Sequence, residues 1–274
     1  MTDLRGRNAL VTGAGGGLGG HIARALAAQG ANLAISDRSS VPMQALTEEL
    51  GGRGTRVEAV PADLSIREEA EGLVARAEEA LGPLDILVNN AGVEFVGAYT
   101  VHTVDELEAI TRINLLAPMV LIRAAVPGML ERGRGHVVNV ASVAGKAPLA
   151  YFSSYNATKH GLVGLTHALR SEYGDEPVGF SAVCPGIIHG EGMLSGVEDQ
   201  VEVPRALGTL PPQAVGEAVV KAITLNRAEV IVSRRPTRPL ILLAALFPRA
   251  GIRLSERIHA KDMARRYAEA RGRV

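Results

Sequence analysis

Short apolar runs alternate with longer amphipathic stretches along most of this chain. The runs at 8–12, 32–36, 57–60, 85–89, 136–140, 179–183 and 230–232 are rich in Val, Ile, Leu and Ala and predict strands. Helical periodicity fills the gaps at about 18–29, 41–50, 66–81, 104–131, 153–174 and 213–226. Strands that are apolar throughout belong to parallel sheets covered on both faces, and strands alternating with helices are repeated βαβ units. Right-handed crossovers then give an α/β fold, a doubly wound parallel sheet of about seven strands in a single domain. The pattern changes after residue 233, so residues 1–233 are the expected α/β domain and 234–274 a C-terminal helical extension. That extension holds the apolar run Leu240 to Phe247, then a stretch in which Leu254, Ile258, Met263 and Tyr267 fall roughly on one helical stripe.

Composition narrows the class. Apolar residues make up 47% of 274 residues, and aromatics only 3%. The single cysteine, Cys184, leaves no internal disulfide and no multi-cysteine metal site. The histidines show no H-E-x-x-H or comparable ligand spacing, so no metal is expected. The N-terminus lacks the apolar segment of a signal peptide, and no run approaches the ~20 apolar residues of a membrane span, which predicts a cytoplasmic protein. Net charge is zero but unevenly placed: residues 234–274 carry 11 Lys/Arg against 3 Asp/Glu, leaving an acidic body. The basic tail has Tyr267 but no interleaved aromatics beyond it, so nucleic acid is not an expected partner. The tail could pack in the core or a dimer, cover the substrate pocket, or lie at a membrane surface; packing is the favoured reading.

The chemistry begins at Thr12-Gly13-Ala14-Gly15-Gly16-Gly17-Leu18-Gly19-Gly20, between the first strand and the first helix. A glycine turn at a helix N-terminus exposes backbone N–H groups and the positive end of the helix dipole to a pyrophosphate. Asp37, just past the second strand, can accept hydrogen bonds from ribose hydroxyls and would repel a 2′-phosphate, although Arg38 beside it could greet one. NAD is therefore favoured over NADP. Tyr155 and Lys159 stand one helical turn apart on one face, and Ser142 closes the fifth strand 13 residues before Tyr155.

Here the sequence resembles the short-chain dehydrogenase/reductase family over residues 5 to about 233. The resemblance rests on Thr12-Gly13-x-x-x-Gly17-x-Gly19, Asn89-Asn90-Ala91-Gly92, Asn114, Ser142, Tyr155-x-x-x-Lys159 and Pro185-Gly186. It implies a Rossmann fold and reversible hydride transfer between NAD(H) and a secondary alcohol or ketone. Tyr155 would be the acid/base, with the Lys159 ammonium lowering its pKa and holding the nicotinamide ribose. Ser142 would bind the substrate oxygen, and Asn114 would position a water linking Lys159 to solvent. The implied cofactor contacts come from Gly13, Gly16, Gly17, Leu18, Gly19, Asp37, Arg38, Asp63, Leu64, Asn90, Ala91, Gly92, Pro185, Gly186 and Ile188, besides Tyr155 and Lys159. Gly190 stands where the family carries a Thr that binds the carboxamide, so backbone, Ser195 or a water would take over that contact. His189 offers a second, weaker acid/base reading. Leu149, Tyr151, Val93, Phe95, Met193, Leu194 and the tail could line an apolar pocket, which leans toward a lipophilic substrate. The family's dimer interface implies a homodimer or homotetramer through the helices of Asn114 and Tyr155, where the small residues Ala157, Gly161, Gly164 and Ala168 permit close approach. Two alternatives stay open: a cofactor-binding scaffold or regulator without turnover, and a lyase or epimerase on the same fold.

Overall fold

The computed structural model of the chain describes residues 2–51, 54–191, 196, 199–205, 207–234 and 237–274. Seven strands form one sheet in the order β3-β2-β1-β4-β5-β6-β7, with every neighbouring pair parallel. They are β1 (Asn8–Thr12), β2 (Asn32–Ser36), β3 (Val57–Ala59), β4 (Ile86–Asn89), β5 (Gly135–Val140), β6 (Val178–Pro185) and β7 (Glu229–Val232). The order reverses between β1 and β4, and a crevice opens there beyond the carboxyl ends of the strands. This is the doubly wound fold that the strand and helix periodicity predicts.

Alternation along the strands builds two cores. In β1, Ala9 and Val11 point to one face and Leu10 to the other, all with no exposure. The first face is covered by α1 (Gly17–Ala28), α2 (Ser40–Leu50) and α7 (Gln213–Thr224). A side chain on Gly216 would run into α1 at His21 and Ala25, so that glycine sets how closely α7 and α1 approach. The second face is covered by α3 (Arg67–Leu81) and α5 (Ala117–Glu131), which pack on each other. The long helix α6 (Ser153–Glu172) seals the sheet near β6 through Leu162 and Val163.

Two expectations need correction. The helix expected over 104–131 is interrupted: α4 (Val104–Thr111) passes into a π turn at Arg112–Leu116 before α5 resumes. That whole 28-residue stretch is long and apolar enough to cross a bilayer, whereas counting uninterrupted apolar runs found none. A helix tolerates scattered charges that break a run. Its Leu121, Ala125 and Met129 are buried against the second core. The tail, read as an apolar run and one striped helix, forms three helices: α8 (Thr237–Leu246), α9 (Pro248–Arg257) and α10 (Ala260–Ala270). His259, in the left-handed region at φ 57°, breaks the chain between α9 and α10. The stripe nevertheless faces inward, since Met263 and Tyr267 are buried.

Candidate active site

The glycine turn is held from below. Thr12 Oγ1 accepts hydrogen bonds from the backbone N–H groups of Asn90 at 3.0 Å and Ala91 at 3.1 Å. The Asn90 amide donates back to the carbonyls of Thr12 at 3.0 Å and Gly13 at 3.2 Å. Gly13 turns at φ 65°, and a side chain there would press on Ala91 Cα at 2.8 Å. Gly19 lies directly over the Gly13 carbonyl, where any side chain would collide. Above the turn, Gly16 has nothing within 4 Å of its open face, and no side chain caps α1. Free N–H groups at that helix start suit a phosphate. Asp37 Oδ2 accepts from Gly15 N at 3.1 Å, which ties the end of β2 to the turn.

A cleft of about 1280 Å³ of empty space runs from this turn across the sheet edge. Of the sequence-derived set, Gly13, Gly16, Gly17, Leu18, Asp37, Asn90, Ala91, Gly92, Ser142, Tyr155, Lys159, Pro185, Gly186 and Ile188 line it. A dinucleotide fits this lining: bare glycine backbone at one end, a carboxylate at the β2 edge, and hydroxyl, phenol and ammonium at the other end. Five residues of the set lie elsewhere. Gly19 is buried beneath the turn. Leu64 points into the second core, so only its backbone can face a cofactor. Arg38 and Asp63 share a shallow neighbouring hollow with Pro61 and Ala62. There Asp63 Oδ1 accepts from Ser65 Oγ at 2.6 Å, and that bond, with the Arg38 charge, holds its carboxyl below the ordinary value. Asn114, fully buried in the π turn, accepts from Val93 N and donates to Val93 O, each at 2.8 Å. The π turn re-aims this side chain at the β4 loop, a common use of such turns at functional sites. A side chain on Gly92 would meet both Asn114 Oδ1 at 3.3 Å and Lys159 Nζ at 3.5 Å, so Asn114 and Lys159 flank that glycine.

Ser142, Tyr155 and Lys159 converge at the cleft floor. Ser142 caps a short 3₁₀ turn by accepting from Ala144 N at 3.1 Å. Lys159 donates to the Val140 carbonyl at 2.9 Å and sits over the Tyr155 ring, 5.5 Å from its centre. The expectation that Lys159 depresses the Tyr155 pKa does not hold in the free protein. Burial pushes the phenol well above its ordinary range, the Glu94 carboxyl adds to the rise, and Ser142 opposes it. The ammonium faces the ring and a carbonyl, so burial dominates. Burial also pushes Lys159 itself down to about 8.

Sequence reasoning missed Glu94 and the role of Tyr267. Glu94 lines the cleft beside Tyr155 and accepts a short hydrogen bond from the Tyr267 hydroxyl, brought by α10. Burial raises the Glu94 carboxyl, opposed by Tyr267, Arg271 and Lys159. The Tyr267 ring stacks on Phe152 at 5.6 Å, and Phe152 meets Tyr155 edge-on at 6.3 Å. Arg273 pairs with Glu106 at 2.6 Å and the Arg273 carbonyl accepts from Ala98 N at 3.1 Å, fastening the end of the chain to this wall. The one local signal for Glu94 was a carboxylate inside the otherwise apolar run from Val93 to Val96.

A second cavity, about 980 Å³ of empty space including its mouth, begins at Ser142 and Gly186 and is mostly apolar. Leu149 and Ile187 form its inner wall, and Ile241, Ala244, Leu254, Ile258 and Met263 of the extension form its outer wall. The extension therefore covers a pocket, where packing alone was the favoured expectation. Val93 lines the first cleft, while Phe95 and Tyr151 line neither cavity. Met193, Leu194 and Ser195 lie outside the described residues. His189 is exposed and anchored through its backbone to Leu210 at 2.9 Å, and Gly190 adopts φ 71° in open space. Among the described residues no three His, Cys, Asp or Glu side chains gather to hold a metal.

The family model described as short chain dehydrogenase matches residues 7–201. The chain is 37% identical to the ketoacyl reductase HetN of Nostoc sp., over 99% of this chain and 96% of the relative. It is also 37% identical to a D-beta-hydroxybutyrate dehydrogenase of Cupriavidus necator, over 80% of this chain and 83% of the relative. A short-chain dehydrogenase/reductase from Burkholderia phymatum, solved with NAD, superposes with a TM-score of 0.79 at 27% identity, covering 93% of this chain and 96% of that one. A metagenomic short-chain oxidoreductase solved with NADP gives 0.71 at 31% identity, covering 84% and 98%. The chain belongs to the short-chain dehydrogenase/reductase family.

Proposed function

We propose that this protein interconverts a secondary alcohol and a ketone on a lipophilic substrate, with NAD(H) as cofactor and Tyr155 as acid/base. The observation that carries this reading is Ser142, which lines both the cofactor-shaped cleft and the apolar cavity. A substrate carbonyl at Ser142 would have Tyr155 beside it and an apolar chamber for its remainder. A nicotinamide cofactor bound in the cleft would supply or take up the hydride. In the reductive direction the buried phenol is already protonated at neutral pH and can donate to the substrate oxygen, while Ser142 stabilises the developing charge. Lys159 and Asn114 are assigned to holding the cofactor ribose and the proton path behind it. Asp37 is assigned to the adenosine ribose hydroxyls, and its carboxylate at the β2 edge supports NAD over NADP. The likeness to a ketoacyl reductase supports an acyl ketone as the substrate type.

The test is a panel of secondary alcohols and medium- to long-chain ketoacyl esters, run with NAD and NADP in parallel and followed by absorbance of the reduced cofactor. The expected result is turnover on lipophilic members with NAD. Tyr155→Phe should lower kcat on the order of 10²- to 10⁴-fold with cofactor binding retained. A Tyr155→Phe protein with normal turnover would overturn the assignment, and cofactor binding without turnover on any member would favour a scaffold.

A further inference from the structure

We propose that the outer face of the α8–α9 hairpin docks on an anionic lipid surface. The two helices meet at Phe247 and pack closely, since a side chain on Gly251 would press on Ala244 at 2.7 Å. Their inner faces, through Ile241, Ala244, Leu254 and Ile258, wall the apolar cavity that leads to Ser142. Large apolar side chains are nevertheless exposed on the outside, at the end of α8, at the turn and on α9. Leu246 is 73% exposed, Phe247 59%, Ile252 51% and Leu243 40%, all within ten residues. A helix pair that needed only to cover a pocket would be polar outside.

Charge points to the occupant. On α9 the exposed arginines Arg249, Arg253 and Arg257 outnumber the single carboxylate, Glu256, and Arg249 and Arg253 share a helix face with Ile252. Apolar side chains interleaved with arginines suit the boundary between anionic headgroups and acyl chains. A second copy of the chain fits less well, because a two-fold interface through this patch would bring two sets of arginines, three against one carboxylate on each α9, into the same contact. The docked hairpin would place a lipid phase against the same helices that line the cavity. A lipid-borne ketone would then reach Ser142 without crossing water. The docking stands by itself, and only this delivery role rests on the oxidoreductase reading above.

The experiment is co-sedimentation of the full chain with vesicles of phosphatidylcholine alone or with about 30% phosphatidylglycerol, the anionic component supplying the surface potential. The expected result is at least roughly tenfold stronger partition to the anionic vesicles, lost in about 1 M salt, where the Debye length falls to about 3 Å. Leu246→Ser with Phe247→Ser, and separately Arg249→Glu with Arg253→Glu, should each lower that partition about tenfold, at one decade per 1.4 kcal/mol. Thermal melting and NAD binding, measured on the same variants, should stay at wild-type values. Equal partition to both vesicle types, or partition unaffected by either pair of substitutions, would overturn the proposal. So would a wild-type dimer that becomes monomeric in the Leu246→Ser, Phe247→Ser protein, since the patch would then belong to a second copy. Docking that persists in a protein inactive on the whole substrate panel would overturn the enzymatic reading and leave the docking standing.

Discussion

At the scale of single residues, buried charge explains most of what is unusual here. His136 is buried, bonded to Ser181 Oγ at 2.8 Å, and burial pushes its imidazole down to about 4. The folded state thus refuses a proton that the unfolded state accepts near 6.5. The resulting stability is complete above pH 6.5 and is lost as pH falls toward 4, by roughly 3 kcal/mol at most. Thermal melts across that window should fall in wild type and flatten in His136→Gln; an unchanged slope would show that other groups drive acid unfolding. Glu94 is the second case. Its carboxyl raises both Tyr155 and Lys159. Glu94→Gln should therefore move the alkaline limb of the kcat/KM profile to lower pH, with Tyr155 and Lys159 shifting in the same direction. A profile identical to wild type would place Glu94 outside the proton inventory. Neither effect was legible in sequence, because a pKa depends on what surrounds the group in three dimensions.

At the scale of elements, local pattern served well where one helix or strand makes its own contacts. Tyr155 and Lys159 share a face because they are four residues apart on α6, and the glycine turn lies where β1 ends and α1 begins. The π turn was not legible, since Arg112–Leu116 carries the same periodicity as an ordinary helix. The break at His259 was missed because the enrichment of His at positive φ is too weak a signal to mark a helix break inside an apolar stripe. The helix α10 carries the clearest element-scale consequence. Tyr267→Ala would leave a hole beside Phe152 and remove the hydroxyl that Glu94 accepts from. We expect a loss of about 3 kcal/mol in stability by thermal or urea unfolding and a larger fractional fall in kcat than in cofactor affinity. Tyr267→Phe should keep the stacking and recover most of the stability. If Tyr267→Ala left kcat unchanged, α10 would be a cover and no part of the active-site wall.

At the scale of the whole molecule, the sheet brings distant segments to one edge and leaves other surfaces bare. Leu116 at the end of the π turn and Met119 on α5 are exposed, and Gly164 on α6 has open space before it. These outer faces are the proposed dimer surface. Gly164→Arg should convert a dimer to a monomer by light scattering, with far-UV circular dichroism preserved; a wild-type monomer, or a variant that remains dimeric, would place the interface elsewhere.

The amino-acid sequence by itself determined the βαβ order, the two-sided burial of the strands, the glycine turn between β1 and α1 and the Tyr155–Lys159 pair. Each follows from spacing within a few residues, where backbone geometry dictates which side chains share a face. Only the tertiary structure decided the rest. It joined Glu94 to Tyr267 across 173 residues, gave Ser142 a place in two cavities, and turned one face of α8 and α9 inward and the other out. The physical reason is that periodicity records which positions are apolar, while the choice of neighbour for an apolar or charged group is settled only when remote elements pack.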